Sequence, residues 1–120
     1  MQGAAIIIGV GVDVVEIDNI QKARFKKRLA EYFLTPQEIK LMPKGSKVSQ
    51  YIASRFALKE AVIKAFPESL SPFDFRIEKR GGRPVVVFID SHQNKKYKIF
   101  ASLTHTAHIA AAVAIVHTKK

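Results

Sequence analysis

Residues 47–66 hold helical spacing without a break, and nearly everything after them changes to a period of two. That switch constrains the fold more than any other feature. A helix of this length must lay its apolar arc against another layer, and the layer available is the run of strands that follows. Pro67 and Pro72 in "FPESLSP" end the helix, because proline lacks the amide proton and clashes with the preceding turn. "FDFRIEKR" and "RPVVVFID" then read as strands joined by Gly81-Gly82, a good two-residue hairpin turn. "SHQNKK" reads as a polar turn. "YKIFASLTH" and "HIAAAVAIVH" read as two more strands that close around residues 105–107. The expected fold is α+β, an antiparallel sheet packed on one long helix, in a single domain over residues 1–120.

The front of the chain supplies the remaining elements. Residues 5–12 are β-branched and apolar and predict a buried strand. Ile6, Ile8, Val10 and Val12 share one face, while Ile7, Gly9, Gly11 and Asp13 share the other. Two glycines ahead of a carboxylate mean either close backbone packing or a space kept open for a ligand. Residues 18–33 read as one or two short helices, with Phe25, Leu29 and Phe33 at helical spacing. In "LTPQE", Thr35 is the expected N-cap, Pro36 the first helical residue and Glu38 the far side of a capping box. Pro43 and Gly45 in "PKGS" keep that helix short.

Composition narrows the function. Lys and Arg number 20 against 10 Asp and Glu, a formal net charge of +10. Such a surface attracts polyanions without choosing among them. No nucleic-acid-binding motif matches, so nucleic acid is not the expected partner. The chain has no cysteine, which excludes disulfides and thiolate metal sites. The apolar start "AAIIIGVGVDVV" has no basic residue before it and meets Asp13 and Glu16 at once. It reads as a strand, not a leader, and is too short to span a membrane. A soluble, cytoplasmic protein with no membrane partner is expected. A chain of 120 residues has few walls with which to enclose a ligand, so an oligomer with its site between subunits suits it.

Within "RFALKEAVIK" a lone carboxylate, Glu60, lies between Lys59 and Lys64. It shares an alanine-rich arc with Lys64, one turn on, and the simplest account is a solvated ion pair between them. Arg55 and Lys59 fall inside the opposite, apolar arc, where they either snorkel or reach phosphates or a neighbouring subunit. "HTAH" sets His105 and His108 on a turn, but no third ligand stands near them in sequence, against a zinc site.

Taken in order, "GVDVVEI", "LTPQE", "RFALKEAVIKAF", "GGRP" and "SLTHT" resemble the holo-acyl-carrier-protein synthases, the small bacterial-type class of 4′-phosphopantetheinyl transferases. The resemblance spans nearly the whole chain. It implies a Mg²⁺-dependent transfer of the phosphopantetheine arm of coenzyme A to a serine of an acidic apo acyl carrier protein in fatty acid biosynthesis, with 3′,5′-ADP released. It implies a homotrimer with sites at subunit interfaces. By position, Asp13 and Glu60 would bind the metal and Lys64 the pyrophosphate. His105 would sit by the nucleotide phosphates, with Thr104, Arg55 and Lys59 lining the same site. The basic run Lys22, Arg24, Lys26, Lys27 and Arg28 is the expected docking surface for the carrier. Mg²⁺ suits the carboxylate pair, since this hard ion takes one or two carboxylates plus phosphates and waters.

Overall fold

A computed structural model describes residues 5–119, so the extreme ends of the expected 1–120 domain lie outside it. The chain opens with strand β1 (Ile7–Glu16), then α1 (Ile17–Lys22), α2 (Lys26–Ala30) and α3 (Pro36–Lys40). A single 3₁₀ turn leads into the long helix α4 (Val48–Ala65). The hairpin β2 (Phe75–Arg80) and β3 (Arg83–Phe88) follows, then α5 (Ser91–Lys96), β4 (Tyr97–His105) and β5 (Ile109–Thr118). The fold is α+β as expected, and its antiparallel strands divide into two sheets, β1-β5-β4 and β2-β3.

Local chemistry accounts for the boundaries. Thr35 and Glu38 form the reciprocal capping box at the start of α3. Gly81 and Gly82 both have positive φ, 58° and 77°, which a two-residue hairpin turn of this hand requires. "SHQNKK" is a correction: it forms α5 instead of a turn, because Asp90 caps it by accepting from the His92 amide at 2.9 Å.

The first strand departs most from expectation. It is longer than residues 5–12, and the branched face is not buried. Val10, Val12 and Val14 are 58%, 55% and 59% exposed. The opposite face is the one that packs. A Cβ on Gly9 would lie 1.7 Å from the Ala65 carbonyl oxygen, and one on Gly11 would lie 1.9 Å from that of Ala61. The glycines therefore serve close backbone packing and do not keep a space open. The alanine arc of α4 is filled by the sheet: Ala53, Ala57 and Ala61 are fully buried. The bulky arc of the same helix buries Leu58 and Val62 in a cluster with Phe66, Phe75 and Phe88. A helix apolar on both sides belongs between two layers, and α4 lies there.

Candidate functional site

The packing of β1 on α4 also sets the first group of polar residues. Two strand residues advance about 6.6 Å, close to the roughly 6 Å of four helical residues. Gly9 opposes Ala65 and Gly11 opposes Ala61, so the next inward position, Asp13, falls level with the turn that carries Ala57 and Glu60. The Lys64 ammonium meets Asp13 Oδ1 at 3.0 Å and also donates to the Val12 carbonyl at 3.2 Å. Lys64 thus pairs with Asp13 and not with Glu60, so the solvated helix pair suggested by spacing does not form. Glu60 is half-buried and makes no ion pair among the described residues.

This seam fits a hard cation. Its donors are carboxylate oxygens, and one of them already holds a cation, the Lys64 ammonium. Among the described residues no cluster of three or more His, Cys, Asp or Glu is suited to a metal. Two carboxylates alone match an ion that completes its shell with substrate oxygens and water, and they do not match a closed structural zinc site.

A second group lines a cleft of about 440 Å³. Its walls come from the segment after α3 (Leu41, Pro43), from α4 (Gln50, Arg55), from the β2–β3 hairpin and from the end of β4 (His105). The Arg55 guanidinium stacks over the Tyr51 ring at 4.6 Å, and its buried Nε has no hydrogen-bond partner. The Gln50 amide nitrogen lies 2.9 Å from His105 Nε2. Arg55 and His105, proposed from sequence, therefore meet at one cleft. Sequence reading missed Gln50 and Tyr51, whose helical spacing marked them only as ordinary face positions.

Two residues placed in that same site from sequence do not line this cleft. Thr104 pairs with Ala111 on the outward face of the sheet. It lines a separate hollow with Val12 and Val113, because neighbouring strand residues point to opposite faces. Lys59 is a correction of a different kind. Its side chain and that of Glu38 are each 1% exposed and meet at 2.7 Å. Its other protons go to the carbonyls of Pro72 (2.6 Å) and Phe75 (3.0 Å). Burial pushes the Lys59 ammonium below its usual range, and the Glu38 carboxylate opposes that shift. A lysine so enclosed cannot reach a ligand phosphate.

The seam and the cleft do not face one ligand within a single copy. At 100° per residue, Arg55 and Lys64 leave α4 about 180° apart.

The basic stretch is largely exposed. Lys22 closes α1, Lys26 is engaged with the Ala23 carbonyl at 3.0 Å, and Arg24, Lys27 and Arg28 face solvent. Phe25 lies just before α2, as its N-cap residue. It is 61% exposed and flanked by the Arg24 and Arg28 guanidinium groups at 5.5 and 5.7 Å. No helix among the described residues is long and apolar enough to cross a membrane.

Residues 9–114 match the family described as the 4′-phosphopantetheinyl transferase superfamily. The chain is 35% identical over 123 residues to a holo-[acyl-carrier-protein] synthase of Maridesulfovibrio salexigens, covering 92% of this chain and 98% of that one. A crystal structure of a holo-(acyl-carrier-protein) synthase from Bacillus anthracis, in complex with CoA (3′,5′-ADP), aligns with a TM-score of 0.81 at 26% identity, over 97% of this chain and 100% of that one. The Helicobacter pylori holo-[acyl-carrier-protein] synthase in complex with coenzyme A aligns with a TM-score of 0.73 at 34% identity, over 89% of this chain and 98% of that one. Asp13, Glu60 and Lys64 of the seam, and Arg55 and His105 of the cleft, all lie within the matched span, and the chain belongs to the 4′-phosphopantetheinyl transferase superfamily, among its holo-acyl-carrier-protein synthases.

Proposed function

We propose that the protein transfers the 4′-phosphopantetheine arm of coenzyme A to a serine hydroxyl of an apo acyl carrier protein, the step that activates the carrier for fatty acid biosynthesis. The serine oxygen forms a bond to the phosphorus that carries the pantetheine. The bond from that phosphorus to the oxygen bridging the two phosphates breaks, 3′,5′-ADP leaves, and the serine proton is released. The observation that carries this reading is the seam, where Asp13 holds the Lys64 ammonium and Glu60 makes no ion pair among the described residues.

Asp13 and Glu60 are the residues that would hold Mg²⁺, and the ion, when bound, offsets charge on the diphosphate. Lys64 moves from Asp13 to the 5′-phosphate of the leaving 3′,5′-ADP, where an ammonium acts as a point charge on the oxygen that gains charge as the bond breaks. Arg55, which lines the cleft, offers its guanidinium to a phosphate there, and His105 turns toward the same group from Gln50. In this reading the cleft receives the nucleotide and the seam receives the diphosphate.

Arg55 and Lys64 leave opposite sides of α4, so the reading requires a second copy, and we place the complete site between subunits of a homotrimer. The exposed valines of β1, with Ile115 and Phe100 on the same face by register, supply an apolar surface of the kind that copies of a chain bury against one another. The carrier, acidic around its serine, docks on the basic stretch around Phe25. In this reading the protein works in the cytoplasm, with coenzyme A and the carrier as its substrates.

The test is to mix the protein with coenzyme A, Mg²⁺ and an apo carrier. A carrier mass gain of one phosphopantetheine arm is expected, and an unmodified carrier overturns the reading. Light scattering of the active protein is expected to give a trimer. Full activity from a monomer overturns the shared site.

A further inference from the structure

The buried charges of Glu38 and Lys59 lie outside the residues assigned to the transfer. Glu38 Oε1 accepts from the Thr35 amide at 2.8 Å and from Lys59, and Oε2 accepts from the Ile77 amide at 2.7 Å. The Lys59 ammonium has three protons, and Glu38, Pro72 and Phe75 take all of them. The Glu38 carbonyl accepts from the Tyr51 hydroxyl at 2.9 Å, and Tyr51 carries the Arg55 guanidinium on its ring. One buried pair therefore ties together the start of α3, the middle of α4, the end of the α4–β2 loop and the second residue past the start of β2.

Those elements are the walls of the cleft. Leu41 and Pro43 follow α3, Arg55 lies one turn before Lys59 on α4, and Glu78 follows Ile77 on β2. The pair sits where three of the four walls meet. A buried ion pair adds little stability over apolar groups of the same volume, because desolvation offsets the attraction. Its bonds are directional, however, and apolar groups do not fix the angle and register of the elements they join. We infer that the Glu38–Lys59 pair is a positioning device that holds the cleft walls at the spacing coenzyme A requires, rather than a source of fold stability. The inference rests on the reading of the cleft as the coenzyme A side of the site.

The test is the double variant Glu38→Gln/Lys59→Met, which removes both charges at once and keeps one amide oxygen that can accept from Thr35 or from Ile77 but not from both. It is expected to fold and to melt cooperatively, below the parent only by the cost of the one amide and two carbonyls left without partners. Coenzyme A KM and the directly measured Kd are expected to rise about tenfold, the scale on which loosened positioning acts, with kcat nearly unchanged. A purely structural role behaves differently, since a smaller folded fraction lowers the maximal rate and leaves KM alone. Amide exchange across residues 72–79 is expected to quicken while α4 stays protected. A folded variant with parental KM and Kd overturns the inference, and so does a variant that fails to fold, because the pair then carries stability. If the parent itself binds no coenzyme A, the functional reading falls, and the exchange measurement still decides: unchanged protection across residues 72–79 overturns the positioning role.

Discussion

Two lysine–carboxylate pairs hang on α4, and they differ in nearly everything except length. Lys59 meets Glu38 at 2.7 Å with both side chains 1% exposed, whereas Lys64 meets Asp13 at 3.0 Å with the lysine 53% exposed. The buried pair has every proton placed and a carbonyl at each remaining donor. Lys64 keeps one bond to Asp13 and one to a strand carbonyl, and water reaches it. An exposed pair of this kind contributes only about 0–1 kcal/mol, so it exchanges partners at little cost. In the proposed reading that is what a substrate site needs: Asp13 would trade an ammonium for a metal ion, and Lys64 a carboxylate for a phosphate. The contrast teaches that the two lysines of one short motif stand in opposite settings, one enclosed by the scaffold and the other open to solvent.

The sharpest way to break the comparison is at the carboxylates. Asp13→Ala and Glu60→Ala are each expected to lower transfer on the order of a thousandfold, the several kcal/mol that charge stabilisation at a phosphoryl centre supplies. Melting temperatures are expected to stay within a few degrees, since neither carboxylate is buried in a satisfied network. Steady-state transfer at moderate Mg²⁺, read beside thermal melts, checks both halves. Near-normal turnover in either variant removes the metal assignment. A large fall in melting temperature erases the distinction between seam and scaffold.

Lys64→Ala is the next largest effect. Charge on the 5′-phosphate of the leaving 3′,5′-ADP grows toward the transition state, so a fixed cation there acts mainly on rate. A loss of about a hundredfold in kcat is expected, comparable to removing one donor from an oxyanion site, with little change in coenzyme A KM. A variant that raises KM and leaves kcat intact would mean that Lys64 only binds the ground state.

The sequence carried the fold well where local chemistry decides it. The capping box at Thr35 and Glu38, the prolines after α4 and the paired glycines of the hairpin each act through their own backbone, and each appears where read. It carried less where the answer lies in a distant neighbour. Glycines at 9 and 11 looked the same whether a ligand or a helix was to come close, and only the positions of Ala61 and Ala65 separate the two. Lys59 and Arg55 shared an arc and looked alike, but the fate of Lys59 depends on the Glu38 carboxylate, which reaches it from α3. Glu38 was legible as a cap through its spacing from Thr35. Nothing local marks its second oxygen as the partner of Ile77, or its ion pair as the joint behind a cleft. The helical spacing of Phe25 with Leu29 and Phe33 said nothing of its exposure, and α2 begins only after it.

A smaller effect tests whether exposed charge works at a distance. Arg24 and Arg28 flank an exposed phenylalanine and pair with no acid among the described residues. Because Lys26 is engaged with the Ala23 carbonyl, Arg24→Glu/Arg28→Glu is the cleaner variant. The carrier kcat/KM is expected to fall about tenfold at low salt, a loss of steering that shrinks as the Debye length shortens. The coenzyme A KM is expected to stay put. Parental kcat/KM at low salt would place carrier docking elsewhere on the surface.

Glu78 lies between the two extremes and offers the smallest effect. It meets Arg76 at 2.7 Å and Arg80 at 2.8 Å, and its side chain is 27% exposed. Hydrogen bonds from Arg80, then from Arg76, hold its carboxyl below its ordinary value of 4.5. A carboxylate whose folded pKa is depressed binds fewer protons folded than unfolded as acid is added. Its stabilisation is therefore complete above its ordinary value and drains away as pH falls through the lower, folded one. Glu78→Gln is expected to melt about 2 °C below the parent at neutral pH, the scale of a surface pair. That gap should close as pH falls below 4.5, once the parent carboxyl also carries a proton. Salt should close it too, because the arginines are screened at this exposure. The buried pair should not share the salt response: the difference between Glu38→Gln/Lys59→Met and the parent is expected to be insensitive to salt, since solvent ions do not reach Lys59. Thermal melts of both variants across pH and salt separate the cases. A Glu78 effect that persists in strong acid and high salt would mean that the carboxylate acts through packing of the hairpin, and that exposure is not what divides these pairs.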